Sequence, residues 1–377
     1  MANESCDIIV IGAGIAGASA AAELAADAHV IVLEMEPQPG YHATGRSAAY
    51  FAAAYGKQVV QAITLASEHF FRQPPAGFTE VELFHPRECI WFGRPDQASG
   101  LEAMQRAVPR LEFLDEGGVR ERVPVFKPGY LLGGLRDREG GDLDVEALLR
   151  GYLKRFLHRR GRLRVDHRVE RLERSGAGWV VTAGGARFTA PVVVNAAGGW
   201  AEQVGGMAGL APLGIAPLRR TALTIDAPAG VDIDNWPEMV DVDEAFYFKP
   251  DAGAILVSPA DETPTPPVDA QPEELDVAIG VDRFEQATGI DVHRVRAAWA
   301  GLRTFAPDRV FVAGFDPRTE GFFWLAGQGG YGVQSSPAMA ALTRHLVTGA
   351  PLTDDFAGLA RHLAEIAPQR LLPAKAE

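Results

Sequence analysis

Gly12, Gly14 and Gly17 stand in the order Gly-x-Gly-x-x-Gly directly after an apolar run that ends at Ile11. That spacing suits capture of a pyrophosphate. Gly12 permits a tight turn, Gly14 lets a phosphate approach the backbone, and Gly17 lets the following helix pack closely on the strand. Amides at the start of that helix have no partner within it and sit at the positive end of its dipole. Glu34 ends the second apolar run, about 20 residues on, where a carboxylate accepts from ribose hydroxyls. A lone glycine fingerprint can be a purely structural corner. Here turn, helix, second strand and terminal acid occur together, and the combination predicts a bound dinucleotide.

The elements that must position these residues follow from periodicity. Asp7 to Ile11 reads as a strand, Ile15 to Ala26 as an Ala-rich helix and His29 to Leu33 as a second strand, a βαβ unit of a parallel sheet. A loop of small and polar residues runs from Gly40 to Ser47, and Tyr55 to Gly141 shows little sustained periodicity. Asp144 to Phe156 is an amphipathic helix with Val145, Leu148, Leu149, Tyr152 and Leu153 on one side. Arg164 to Leu172, Trp179 to Thr182 and Arg187 to Thr189 read as a small meander that ends in Val192 to Val194. Further strands are expected at Arg219 to Ile225, Phe246 to Lys249 and Ala254 to Val257, with Arg294 to Ala300 extended. Asp261 to Pro272 reads as an exposed loop, Glu273 to Ala287 as a helix, and a last helix opens at the glycine cluster near residue 330 and runs to about Leu346.

Two more glycine loops decide between cofactors. Val192 to Val194 runs into Asn195-Ala196-Ala197-Gly198-Gly199-Trp200, and Gly327-Gln328-Gly329-Gly330-Tyr331-Gly332 precedes the last helix. Three such loops, spread over the chain, suit a long extended cofactor and favour FAD; an NAD-dependent dehydrogenase is the alternative. Neither Cys6 nor Cys89 stands in a recognisable covalent flavin attachment, so the FAD is expected to be non-covalent.

Bulk properties exclude other classes. Lys plus Arg number 36 against 49 Asp plus Glu, a net charge of −13 that repels phosphate backbones and argues against nucleic acid as a partner. Two cysteines without metal-like spacing argue against a disulfide framework or a zinc or iron–sulfur site, and no metal is expected. No apolar run reaches about 18 residues and no basic leader opens the chain, so no membrane span and a cytoplasmic location are expected.

These segments resemble the D-amino-acid oxidase-like family of flavoenzymes, through Ile9–Gly17, Val194–Gly198 and Gly327–Gln334, which together span nearly all of the chain. Within the family the resemblance is strongest to the bacterial FAD-dependent D-arginine dehydrogenases. It is carried by Gln38–Ala49, Ala54-Tyr55-Gly56, Phe246–Asp251, Trp299–Arg303, Gly321–Trp324 and Gln328–Gly332. It implies an α/β fold: a Rossmann-like FAD-binding domain made of 1–50, 142–218 and 308–377, and an α+β substrate domain with a mainly antiparallel sheet made of 51–141 and 219–307.

The resemblance also assigns roles. Arg220 and Arg303 would clamp the substrate carboxylate, which the guanidinium fork suits. Tyr55 and Tyr247 would offer hydroxyls, Gly330 its carbonyl to the substrate amine, and Glu88 a negative charge to a cationic side chain. Around the flavin it implicates Ala16, Glu34, Met35, the stretch Ala43 to Tyr50 (Thr44, Gly45, Arg46, Ser47 and Ala48 within it), Val169, and Gly329, Gly330, Tyr331, Gly332, Val333 and Gln334. Two departures stand out. The segment Pro86-Arg87-Glu88-Cys89 is one residue short of the expected pattern, and Tyr50 stands where the D-arginine enzymes have histidine.

The implied reaction is hydride transfer from the α-carbon of a D-amino acid, of cationic or broad range and D-arginine among them. The imino acid then hydrolyses to a 2-oxo acid and ammonia, with dioxygen or a quinone as the electron acceptor. No dedicated base is evident among the nine histidines; His42 alone is placed in a suggestive loop, where a structural role is the simpler reading. The rival readings are a flavin oxidase of glycine, sarcosine or a 2-hydroxy acid, and a non-catalytic flavin-binding protein.

Overall fold

A computed structural model describes residues 3–176 and 178–373. The ends of the 1–50 and 308–377 segments, residues 1–2 and 374–377, therefore lie outside the described residues. Two large sheets organise the chain. The first has six strands in the order Arg162–Arg164, Val30–Leu33, Ile8–Ile11, Val192–Asn195, Phe322–Ala326 and Val312–Phe315; all neighbours run parallel except the last pair. Its central strands are four-residue apolar runs buried on both faces, as a helix-covered parallel sheet requires. The helices Ile15–Leu24, Val145–His158 and Ser336–Thr348 pack together on one side. The three-stranded meander Val169–Ser175, Gly178–Ala183 and Ala186–Ala190 covers the other, extended by Asn3–Ser5.

Val192–Asn195 does not continue that meander. It crosses into the middle of the parallel sheet, between Ile8–Ile11 and Phe322–Ala326. The helix Gln58–Arg72 is also absent from the sequence expectation. It turns Val59, Val60, Ile63 and Phe71 into the core of the parallel sheet and packs on Ser336–Thr348.

The second sheet has nine strands and is antiparallel throughout, except where Glu238–Asp241 runs parallel to Cys89–Gly93. Side-chain alternation gives it two unlike faces. Ile90, Phe92, Leu223, Met239 and Phe248 face back into a core with Phe284 of the Glu274–Ala287 helix. Trp91, Val240 and Tyr247 face forward. The same alternation separates two adjacent arginines. Arg219 faces back, paired with Glu273 and, at 2.8 Å, with Asp276 of that helix. Arg220 faces forward.

Candidate active site

The parallel strands end on one edge, and the loops that leave their carboxyl ends line one cleft of about 1580 Å³, its open mouth included. Gly12, Gly14 and Ala16 follow Ile8–Ile11, and Glu34 and Met35 follow Val30–Leu33. Ala196 to Trp200 follow Val192–Asn195, Gly329, Gly330, Gly332 and Val333 follow Phe322–Ala326, and Val169 lies just beyond Arg162–Arg164. Clefts at the carboxyl edge of such sheets are where extended cofactors lie.

Local geometry explains the residue types. Gly12 has φ +101°, and a Cβ there would lie 2.6 Å from the Ala196 carbonyl oxygen. A Cβ on Gly17 would lie 1.9 Å from the Gly12 carbonyl oxygen, so any side chain would push the helix off the strand. Gly17 thus shapes the cleft without lining it. Glu34, buried at 7% exposure, accepts from the Ala13 amide at 2.7 Å and from the Glu36 amide at 2.9 Å. Each carboxylate oxygen keeps a second lone pair for a ribose hydroxyl. Thr44 Oγ1 accepts from the Ile15 amide at 2.9 Å and so ties the 40–47 loop to the helix start. Arg46, Ser47 and Ala48 line the cleft while Gly45 closes the turn beside Gly40.

Other expectations land differently. The glycine cluster near residue 330 forms turns, and the last helix begins only at Ser336. The cluster therefore offers the cleft its backbone from turns that precede the helix. Tyr331 packs among Phe305 and Phe311 and donates to the Arg309 carbonyl at 3.0 Å. Gln334 braces the chain: its side chain accepts from the Ala52 amide at 2.9 Å and donates to Thr64 at 3.1 Å. The Asp261–Pro272 stretch is anchored, since Arg46 donates to the Ala270 carbonyl at 2.8 Å and pairs with Asp269. His42 lines the cleft, 2.9 Å from a Glu36 oxygen and against the Trp200 ring.

A second, smaller cavity opens off the cleft, and both are lined by Ser47, Ala48, Arg220, Tyr247, Arg303 and Gly330. Four residues expected to hold a substrate therefore meet at this junction, and Tyr55 lines the smaller cavity beside it. Arg303 donates to the Tyr247 hydroxyl at 3.4 Å and has no acid within salt-bridge distance among the described residues. A Cβ on Gly330 would lie 2.8 Å from an Arg303 nitrogen, so a side chain there would displace the guanidinium. Arg220 donates to Glu262 at 3.1 Å and to the Asp261 carbonyl at 2.8 Å. Burial first, and then repulsion from Arg303, hold Arg220 below its ordinary pKa. Burial raises the Tyr55 phenol, which stays a neutral donor.

Glu88 is not part of this assembly. Its carboxylate pairs with Arg136, at 2.9 Å to Nε, and it lines neither cavity. Alternation is the reason: Glu88 shares the parity of Ile90 and Phe92, which face back, whereas Cys89 and Trp91 face forward. Two acids do line the smaller cavity: Glu238, from the neighbouring strand with Cys89 as its register partner, and Glu244.

The profile of the family described as FAD dependent oxidoreductase (DAO) matches residues 7–346. The protein belongs to this family. As a DAO-family flavoprotein it has FAD as its cofactor, and the cleft fits that group: glycines sit where a Cβ would close the strand–helix corner, and the lining runs unbroken from Glu34 to Gly330. Its fold is shared with glycine oxidase from Geobacillus kaustophilus (TM-score 0.83, 21% identity, 98% of this chain and 100% of that one). It is shared also with L-proline dehydrogenase from P. horikoshii (TM-score 0.80, 18% identity, 97% and 99%). FAD-dependent oxidoreductase domain-containing protein 1 of Xenopus laevis is 26% identical over 41% of this chain, and the match spans 34% of that relative's length. Among the described residues no helix is long and apolar enough to cross a membrane.

Proposed function

We propose that this DAO-family oxidoreductase oxidises D-amino acids to imino acids, which water converts to 2-oxo acids and ammonia. The observation that carries the reading is Arg303: a guanidinium without an acid partner, at the junction of the cofactor cleft and the side cavity. Such a group is a vacancy for a carboxylate, gripped by two parallel N–H···O bonds. Bound FAD supplies the hydride acceptor. The chain's part is positional. Arg303 and Arg220 fix the carboxylate, the Gly330 carbonyl accepts from the amine, and the Tyr55 and Tyr247 hydroxyls close the remaining polar contacts. Holding the carboxylate and the amine, with the side chain in the smaller cavity, leaves the α-hydrogen one direction to face. The amine reacts as the neutral base, and accepting from it at a carbonyl adds no positive charge beside two arginines.

The D configuration is supported by the segment resemblances at Tyr55, Tyr247 and Arg303. The fold relatives include glycine oxidase, L-proline dehydrogenase, L-amino acid deaminase, iminodiacetate oxidase and L-alpha-glycerophosphate oxidase. Glycine would leave the cavity beyond Arg303 unfilled, which favours a substrate with a side chain. FAD held without a covalent bond agrees with Cys6 and Cys89 lying outside the cleft lining. Incubating the FAD-loaded protein with a D-amino acid and an electron acceptor, dioxygen or a quinone, tests the reading. Equal yields of 2-oxo acid and ammonia are expected, and neither product from any D-amino acid would reject it.

A further inference from the structure

The cavity beyond Arg303 is lined by two acids that the reaction does not use, Glu238 and Glu244, and of these Glu238 is buried while Glu244 is exposed. Glu238 opens the Glu238–Asp241 strand on the forward face, is 6% exposed and lines the cavity. Among the described residues its side chain makes no hydrogen bond. Of the cations that act on it, Lys249 donates to Asp142 at 2.7 Å, Arg87 donates to the other oxygen of the same carboxylate at 2.6 Å, and Arg303 is the group assigned to the substrate carboxylate. A buried carboxyl left without a hydrogen-bond partner is costly, and a donor arriving from outside would relieve that cost.

The walls between Arg303 and Glu238 describe that donor. Ala49, Ala52 and Ala260 offer small apolar surface to a methylene stem. Tyr50, Tyr55 and Trp91 offer rings, and the Tyr50 hydroxyl is already given to the Arg87 carbonyl at 2.7 Å. Ring faces attract a cation and leave a hydroxylic or acidic tail unrewarded.

We infer that Glu238 is the specificity-determining residue of this site, accepting a hydrogen bond from the cationic end of an amino acid side chain whose carboxylate is held at Arg303. The inference rests on the amino-acid reading above and adds the side-chain class to it. A neutral tail leaves Glu238 as it is in the empty site, whereas a cationic one supplies both donor and counter-charge. Burial, opposed by Lys249, pushes the Glu238 carboxyl up to about 8, so an arriving cation also displaces a proton.

The test reads binding rather than turnover. The FAD-loaded protein is titrated with 6-aminohexanoate and with hexanoate while the visible flavin spectrum is followed. Both offer a carboxylate to Arg303, and neither carries an oxidisable α-amine. The wild type should bind the amino compound at least about tenfold more tightly. Glu238→Gln should bring the ratio near one without lowering Tm, and Glu238→Leu should reverse it. Equal affinities in the wild type, an unchanged ratio in Glu238→Gln, or no spectral response to either ligand would overturn the inference. Failure of the D-amino acid reading looks different: the ligand ratio holds while no D-amino acid is turned over.

Discussion

Arg220 and Arg303 lie diagonally across two antiparallel strands, Arg220 opposite Gly301 and Arg303 opposite Leu218, so both guanidinium groups rise from one face. Among the described residues only Arg220 has an acid partner, Glu262, which it shares with Arg309. Two cations held close on a half-buried face repel, and a substrate carboxylate relieves that repulsion while filling the place Glu262 cannot reach. On the proposed function, the uncompensated member of the pair is the principal carboxylate site.

Arg303→Ala should lower kcat/KM at least about 100-fold, because the clamp loses its only unshared guanidinium. Arg303→Lys should recover part of this, since it restores charge without the fork. Arg220→Ala should cost less, about tenfold, because Glu262 already draws on that side chain. Steady-state kinetics of the three variants check the order, and near-normal kinetics in Arg303→Ala would remove its role.

Gly17→Ala should abolish FAD retention and lower Tm. The new methyl would sit 1.9 Å from the Gly12 carbonyl oxygen, and the conflict is between two backbones, which cannot yield as a side-chain end can. The flavin-to-protein absorbance ratio after gel filtration reads the outcome; a normal ratio contradicts the packing role.

Gln334→Leu should destabilise the fold by about 2 kcal/mol, because it leaves the Ala52 amide and carbonyl and the Thr64 hydroxyl short of partners. Ala52 walls the side cavity, so KM for substrates with long side chains should rise more than KM for alanine. A fall in Tm with KM values unchanged would separate bracing of the fold from shaping of the cavity.

The glycine loop is legible in sequence because its signals are local: three glycines, a helix and an acid within thirty residues. The helix Gln58–Arg72 is not, because its buried stripe includes Thr64 and Ser67. Those hydroxyls are satisfied by groups remote in sequence, Gln334 for Thr64 and the Ala338 amide for Ser67. Glu238 is hidden for a similar reason. Its place in the cavity depends on a parallel pairing with Cys89–Gly93, and nothing local signals a contact across about 150 residues. Glu88 shows the converse, a residue at nearly the right place in sequence that strand parity turns to the other face.

Glu238 also sets a pH dependence. Its folded pKa, raised to about 8 from the ordinary 4.5, means that the folded state binds the extra proton between those values. Stability from this group is complete below about pH 4.5 and is lost as pH rises through 8. The charges that act on it are Lys249, Asp142, Arg303 and Arg87, with Tyr50 and Cys89 packed close by. Glu238→Gln should therefore gain Tm relative to wild type as pH is taken from 6 to 9. Parallel curves for the two proteins would assign the pH response elsewhere.

On the proposed function, the FAD-loaded site takes hydride from the α-carbon of a D-amino acid. Anaerobic mixing of the holoprotein with the two enantiomers of one long-chain amino acid, followed at the visible flavin band, tests it most directly. Rapid bleaching by the D enantiomer is expected, with little or none by the L and near-complete loss of bleaching in Arg303→Ala. Bleaching by the L enantiomer alone, or by neither enantiomer of any amino acid, would contradict it.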